Sequence, residues 1–155
     1  MRKIISLTLL LSCLFGCQPN HKNYKYNEIF NLIDKIDNGL LQINKQQLVG
    51  MFGEPDRQLL YSKMKFFLSG ETSGDETLSS MEYIQWKLGN IYSKYEIKSD
   101  EIEIFIYGLN SQNESEVTGY WFGLISKKAG VIRVPYFVVY EDKVLFGDFF
   151  LKPMP

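Results

Sequence analysis

The stretch "VIRVPYFVVYEDKVLFGDFFL", residues 131–151, reads as two strands folded back on each other. Val131–Tyr140 and Lys143–Leu151 are rich in Val, Ile, Phe and Tyr, which fit a pleated, buried surface. Only Glu141-Asp142 separates them, and a link that short joins antiparallel neighbours. Pro135 interrupts the first run. Proline cannot donate to a ladder, so its strand is expected at a sheet edge or bulged at that point.

Working upstream, Lys127-Lys128-Ala129-Gly130 is a turn that follows a strand at Thr118–Ser126, and a polar loop, Asn110–Glu116, precedes that strand. Glu101–Tyr107 alternates, placing Ile102, Ile104 and Ile106 inward with Glu101 and Glu103 outward. Met81–Leu88 also alternates, with Ile84, Trp86 and Leu88 on one face. Arg57–Leu68 reads as a long strand ending in aromatics, and "SGETSGDETLSS", Ser69–Ser80, as a loop.

Before Arg57 the period changes from two to nearly four. Ile29, Ile33, Ile36 and Leu40 form a helical stripe that Asn27 can cap and Gly39 can end. A second helix starts at Asn44, where Gln47 completes a capping-box pair. Leu48, Met51 and Phe52 form its apolar face and Gly53 stops it. Helices first and strands after them predict an α+β domain: two N-terminal helices packed on an antiparallel sheet of about five to seven strands.

The chain opens with Met1-Arg2-Lys3 and then an uncharged, mostly apolar run, Ile4–Phe15. About twelve residues suit a signal-peptide core and fall short of the ~20 that span a bilayer. Leu14-Phe15-Gly16-Cys17 resembles a bacterial lipobox, in which the cysteine is acylated and becomes the first mature residue. Phe15 is bulkier than the residue usual at its place. The expected organisation is a cleaved segment 1–16, a lipidated tether 17–26 and one domain, 27–155. Cys13 and Cys17 are the two cysteines, and their spacing suits neither a zinc site nor a bridge across a cleavage point. Removing 16 residues from 155 leaves 139, the size of one domain. Losing Arg2 and Lys3 takes the 17 basic residues to 15 against 18 acids, and no basic patch argues for nucleic acid.

"INKQQLVGMFGEPDRQ", Ile43–Gln58, resembles the SmpA/OmlA group of small outer-membrane lipoproteins, which accompany β-barrel assembly and pack two helices on a small antiparallel sheet. The matching positions are Asn44, Leu48, Met51-Phe52, Gly53, Pro55 and Asp56, followed by Tyr83-Ile84-Gln85-Trp86, an aromatic strand in that group. The glycine that usually opens the motif is absent and the domain is longer. The stretch also has a plain structural reading: glycine ends a helix, proline prevents its restart, and aspartate stabilises the turn.

Chemistry is sparse. His21 lies in the tether, so Cys–His and Ser–His nucleophile arrangements have no core histidine. Glu101/Glu103 read as a solvent face and Glu54/Asp56 as turn residues. Asp75-Glu76 lacks EF-hand spacing. No catalytic residue, metal or cofactor is expected. The rings of Tyr120-Trp121-Phe122, Tyr136-Phe137, Phe146 and Phe149-Phe150 fall on both faces of their strands, so half need a second cover: a partner, or the sheet curving on itself. The candidate partner-binding residues are Phe52, Gly53, Glu54, Pro55, Asp56, Tyr120, Trp121 and Tyr136. The expectation is a lipid-anchored envelope protein that binds other envelope proteins. The resemblance implies an accessory of outer-membrane assembly. The alternative is an inhibitor or immunity-type lipoprotein blocking a surface enzyme through Ser69–Ser80 and the aromatic strands.

Overall fold

The computed structural model describes residues 26–92, 99–109, 117–121, 124–128 and 131–153, with the backbone alone at 92, 99, 117–121 and 124–128. Cys17 and its lipobox, the tether before Tyr26, the loop Asn110–Glu116, Phe122 and the Ala129-Gly130 corner lie outside them.

In the described residues the chain is α+β. Helices α1 (Tyr26–Asp37) and α2 (Lys45–Phe52) lead into strand β1 (Arg57–Leu60) and helices α3 (Tyr61–Glu71) and α4 (Gly74–Tyr92). Strands β2 (Ile102–Ile106), β3 (Val117–Trp121), β4 (Leu124–Lys128), β5 (Val131–Tyr140) and β6 (Lys143–Pro153) follow. One antiparallel sheet has the order β1-β2-β5-β6, and β3 pairs with β4 in a separate hairpin. The expected five to seven strands on two helices thus become a four-stranded sheet, a two-stranded one and four α-helices among the described residues.

The central sheet is buried on both faces. Ile29, Ile33 and Ile36 of α1, with Leu48 of α2, pack on Phe105, Tyr107, Phe137, Val139 and Val144. On the other face, Met64 and Leu68 of α3, with Ile84 and Leu88 of α4, pack on Ile104, Tyr136, Val138 and Phe150. Residues 134–139 of β5 are therefore all buried. A strand with two apolar neighbours reads as a continuous apolar run, not as an alternation.

Two expected strands are helical, and the loop between them is mostly helix. After the four residues of β1 the chain winds into α3. Met64 and Leu68 point inward, while Phe66 is 84% exposed. Met81–Leu88 lies inside α4. Its buried stripe is Thr77, Met81, Ile84 and Leu88, at helical spacings of four, three and four, and it starts at Ser73, whose hydroxyl accepts from the Glu76 N–H at 3.4 Å. Ile84 and Trp86 were expected on one face; they are 0% and 61% exposed. The brief i, i+2 alternation misled because a four-residue window also fits a helix stripe.

Pro135 is likewise not at an edge. It lies in β5, between β2 and β6, opposite Phe149, and the register shift falls three residues later, at Val138/Val139. The β2 ladder stops at Tyr136, one residue short of the proline, and the Pro135 carbonyl still accepts from the Tyr107 N–H (3.0 Å). The missing donor faces a side where the ladder has run out. At Gly147 of β6 an added Cβ would meet Ile33 of α1 at 2.7 Å and the Phe137 ring at 2.9 Å, so only glycine lets α1 settle on this strand.

Helix α4 makes a direct expectation. Ile84→Ala should cost about 2–5 kcal/mol of unfolding free energy and Trp86→Ala less than about 1, measured by denaturant titration. Equal costs would restore the strand reading of Met81–Leu88.

Candidate functional site

The motif residues Phe52–Asp56 form the joint between α2 and β1. The Asn44 side chain accepts from the Gln47 N–H (2.7 Å) and Gln47 answers at the Asn44 N–H (2.9 Å), closing the capping box of α2. At the other end Gly53, at φ +77°, lets its N–H reach the Val49 carbonyl (2.7 Å). Its own carbonyl accepts from the Tyr107 hydroxyl (3.2 Å), and Phe52 meets the Tyr107 ring edge to face at 6.1 Å. Asp56 then grips the end of β2 twice, its N–H donating to the Ile106 carbonyl (2.8 Å) and its Oδ2 accepting from the Leu109 N–H (3.0 Å). Burial, with Glu54 and Asp56 nearby, pushes the Tyr107 phenol well above its ordinary pKa, so it stays a neutral donor. Phe52, Gly53 and Asp56 are thus engaged in holding the fold; Glu54 is exposed and Pro55 half-buried.

Tyr136 is fully buried against Phe150, with rings 6.4 Å apart, and presents nothing to a partner. Burial corrects its role as a surface candidate: α3 and α4 are the second cover that the sheet's rings required. The backbones of Tyr120 and Trp121 lie in β3, and their side chains lie outside the described residues. Ser69–Ser80, the loop of the inhibitor reading, is helical except for Thr72 and Ser73.

A polar cluster is embedded under α4. Asp148 of β6 is the cross-strand neighbour of Tyr136, whose hydroxyl is buried without a hydrogen-bond partner. Burial raises the Asp148 carboxyl to about 6, with Asp37 and Glu76 adding to it while the Phe149 N–H and Lys87 oppose it. Lys87 of α4 pairs with Asp37 at the end of α1 (2.8 Å), joining the two helix layers. Burial works to lower the Lys87 pKa, but Asp37 and Tyr83 outweigh it and the net shift is upward. Glu76 accepts from the Leu151 N–H (3.0 Å) and from Ser80 (3.3 Å). These groups are knitted to the fold, and no group of three or more His, Cys, Asp or Glu among the described residues could hold a metal.

Among the described residues, concavities that open to solvent include a cleft and a groove. A cleft of about 490 Å³ lies between the α1–α2 connection and the β5–β6 turn, walled by Ile36, Leu41, Ile43, Ile91, Val144 and Leu145. A groove of about 440 Å³ runs between β1 and the outer face of α3, past Arg57, Leu59, Lys63, Phe66, Phe67 and Gly70. The sequence carried a signal for it: adjacent Phe66 and Phe67 on a helix cannot both face the core.

No protein family, curated protein or solved structure matches the chain.

Two outcomes test the cluster. The folded carboxyl binds its proton near pH 6 and the unfolded one near 3.8, so Asp148 lowers stability as pH rises from about 4 to 6. Asp148→Asn should therefore add up to about 3 kcal/mol at pH 7 and nothing below about pH 4, read from urea unfolding at both values. Tyr136→Phe removes an unpartnered hydroxyl and should leave stability unchanged or raise it by about 1 kcal/mol.

Proposed function

We propose that this protein is a lipid-anchored component of a bacterial envelope, acylated at Cys17 and acting by binding other envelope proteins. The observation that carries the reading is the order of charged start, short apolar run and Leu14-Phe15-Gly16-Cys17. Several acyl chains on one cysteine anchor stably where a single chain binds marginally. Helix α1 begins at Tyr26, nine residues beyond Cys17, so the domain would stand close to the membrane surface. Gln18 after the cysteine, rather than aspartate, favours an outer-membrane destination in a Gram-negative cell. An accessory role in outer-membrane assembly or integrity follows from the resemblance at Ile43–Gln58. Because that stretch is spent on the α2–β1 joint, it supports a shared fold more than a shared partner.

Expression of the full chain and of Cys17→Ala in a Gram-negative host provides the test. The parent should fractionate with membranes and yield a mature N-terminus at an acylated Cys17 by mass spectrometry. The variant should keep its signal segment or leave the membrane. An unmodified parent in the soluble fraction would end the anchor reading.

A further inference from the structure

The two edges of the central sheet are treated differently. Along β6 the edge is occupied: the Val144 N–H donates to the Ile43 carbonyl (3.1 Å), Asn44 bridges to Lys143, and the Glu76 carboxylate takes the Leu151 N–H (3.0 Å). Along β1, no strand among the described residues pairs on the side away from β2. An antiparallel strand directs alternate pairs of N–H and C=O groups to each side, so the outward groups of this edge meet no strand among the described residues. The groove of 440 Å³ follows it, with α3 as the opposite wall.

The helix wall is apolar where solvent would favour polar groups. Phe66 is 84% exposed, more than any other large hydrophobic side chain described. One turn on, an added Cβ at Gly70 would meet nothing within 4 Å, which keeps the groove open. Arg57 and Lys63 line the groove, and no carboxylate does.

We propose that the β1 edge and the α3 face form a docking groove for an extended peptide segment of a partner protein, with an apolar side chain for Phe66 and a carboxylate for Arg57 and Lys63. Main-chain hydrogen bonds to a free edge supply affinity, and side-chain pockets beside it supply selectivity. Three residues of edge extend roughly 10 Å and fit a segment of three or four residues. A second copy is a poor occupant, because it would set Arg57 and Lys63 of both chains against each other. This site gives the protein-binding reading above a location and rests on it.

The test uses the full chain in detergent micelles and a labelled decapeptide of alternating valine and glutamate. Amide NMR shifts at up to 1 mM peptide should concentrate at Arg57–Leu60 and along α3. Phe66→Glu, Arg57→Glu and Gly70→Leu should each weaken binding at least about fivefold, with unfolding midpoints no lower than the parent's. Alternate N-methylation of the peptide should abolish binding, and a valine–lysine peptide should bind at least about tenfold more weakly. No shifts at 1 mM, shifts that persist in Gly70→Leu, equal binding of the lysine peptide, or a dimer through β1 without peptide would each overturn the proposal. Membrane fractionation of the same variants reports the anchor separately, so a failed groove and a failed anchor are told apart.

Discussion

Burial of both faces of β5 sets the terms for everything else in this fold. With residues 134–139 all inside, neither face of the strand can meet water, and the sheet needs apolar cover above and below. The chain supplies it by splitting its helices, α1 and α2 on one side and α3 and α4 on the other. The short β1 between the helix pairs carries the chain from one face to the other. The α2–β1 joint, tied by Tyr107 and Asp56 to the end of β2, fixes where that crossing occurs.

The same constraint accounts for what the sequence shows and conceals. The β5–β6 hairpin is legible because two long apolar runs meet at a two-residue turn, and the α2 cap is legible because Asn44 and Gln47 have the required spacing. The covering of the second face is concealed. Helices α3 and α4 carry Phe66-Phe67 and Tyr83-Ile84-Gln85-Trp86, whose aromatic and alternating character favours strands when only a few neighbours are weighed. Only the longer window, Thr77 to Leu88, restores the helical period. The cost of missing these helices falls on the candidate site: with no second cover in view, Tyr136 and its neighbours look like an interface. Glu103 makes the same point. It reads as solvent-facing, but its carboxylate is half-covered, paired with Lys45 of α2 (2.9 Å).

The candidate sites differ in what holds them. The Phe52–Asp56 joint is tied to the end of β2 by internal hydrogen bonds, and the Asp148 cluster is covered by α4, with the Tyr136 hydroxyl left without a partner. The β1–α3 groove is lined partly by residues the fold uses, Leu59 and Phe67 against the core, and partly by Phe66, which is exposed and is left to serve something outside the chain. The adjacent Phe66 and Phe67 announce it only once their segment is known to be helical, since the groove arises from a strand edge and a helix that follows it directly.

The order of the sheet also has a bearing on how the chain acquires its structure. A chain ending before Val131 possesses β1 and β2 but lacks the strand on which β2 lies, and a lone pair of short strands is marginal in water. The sheet's middle is thus closed only when β5, well downstream of β2, has been made, and its assembly waits for that strand. Until then β2 lies with an open edge, the kind of exposed strand edge through which incompletely folded chains mispair.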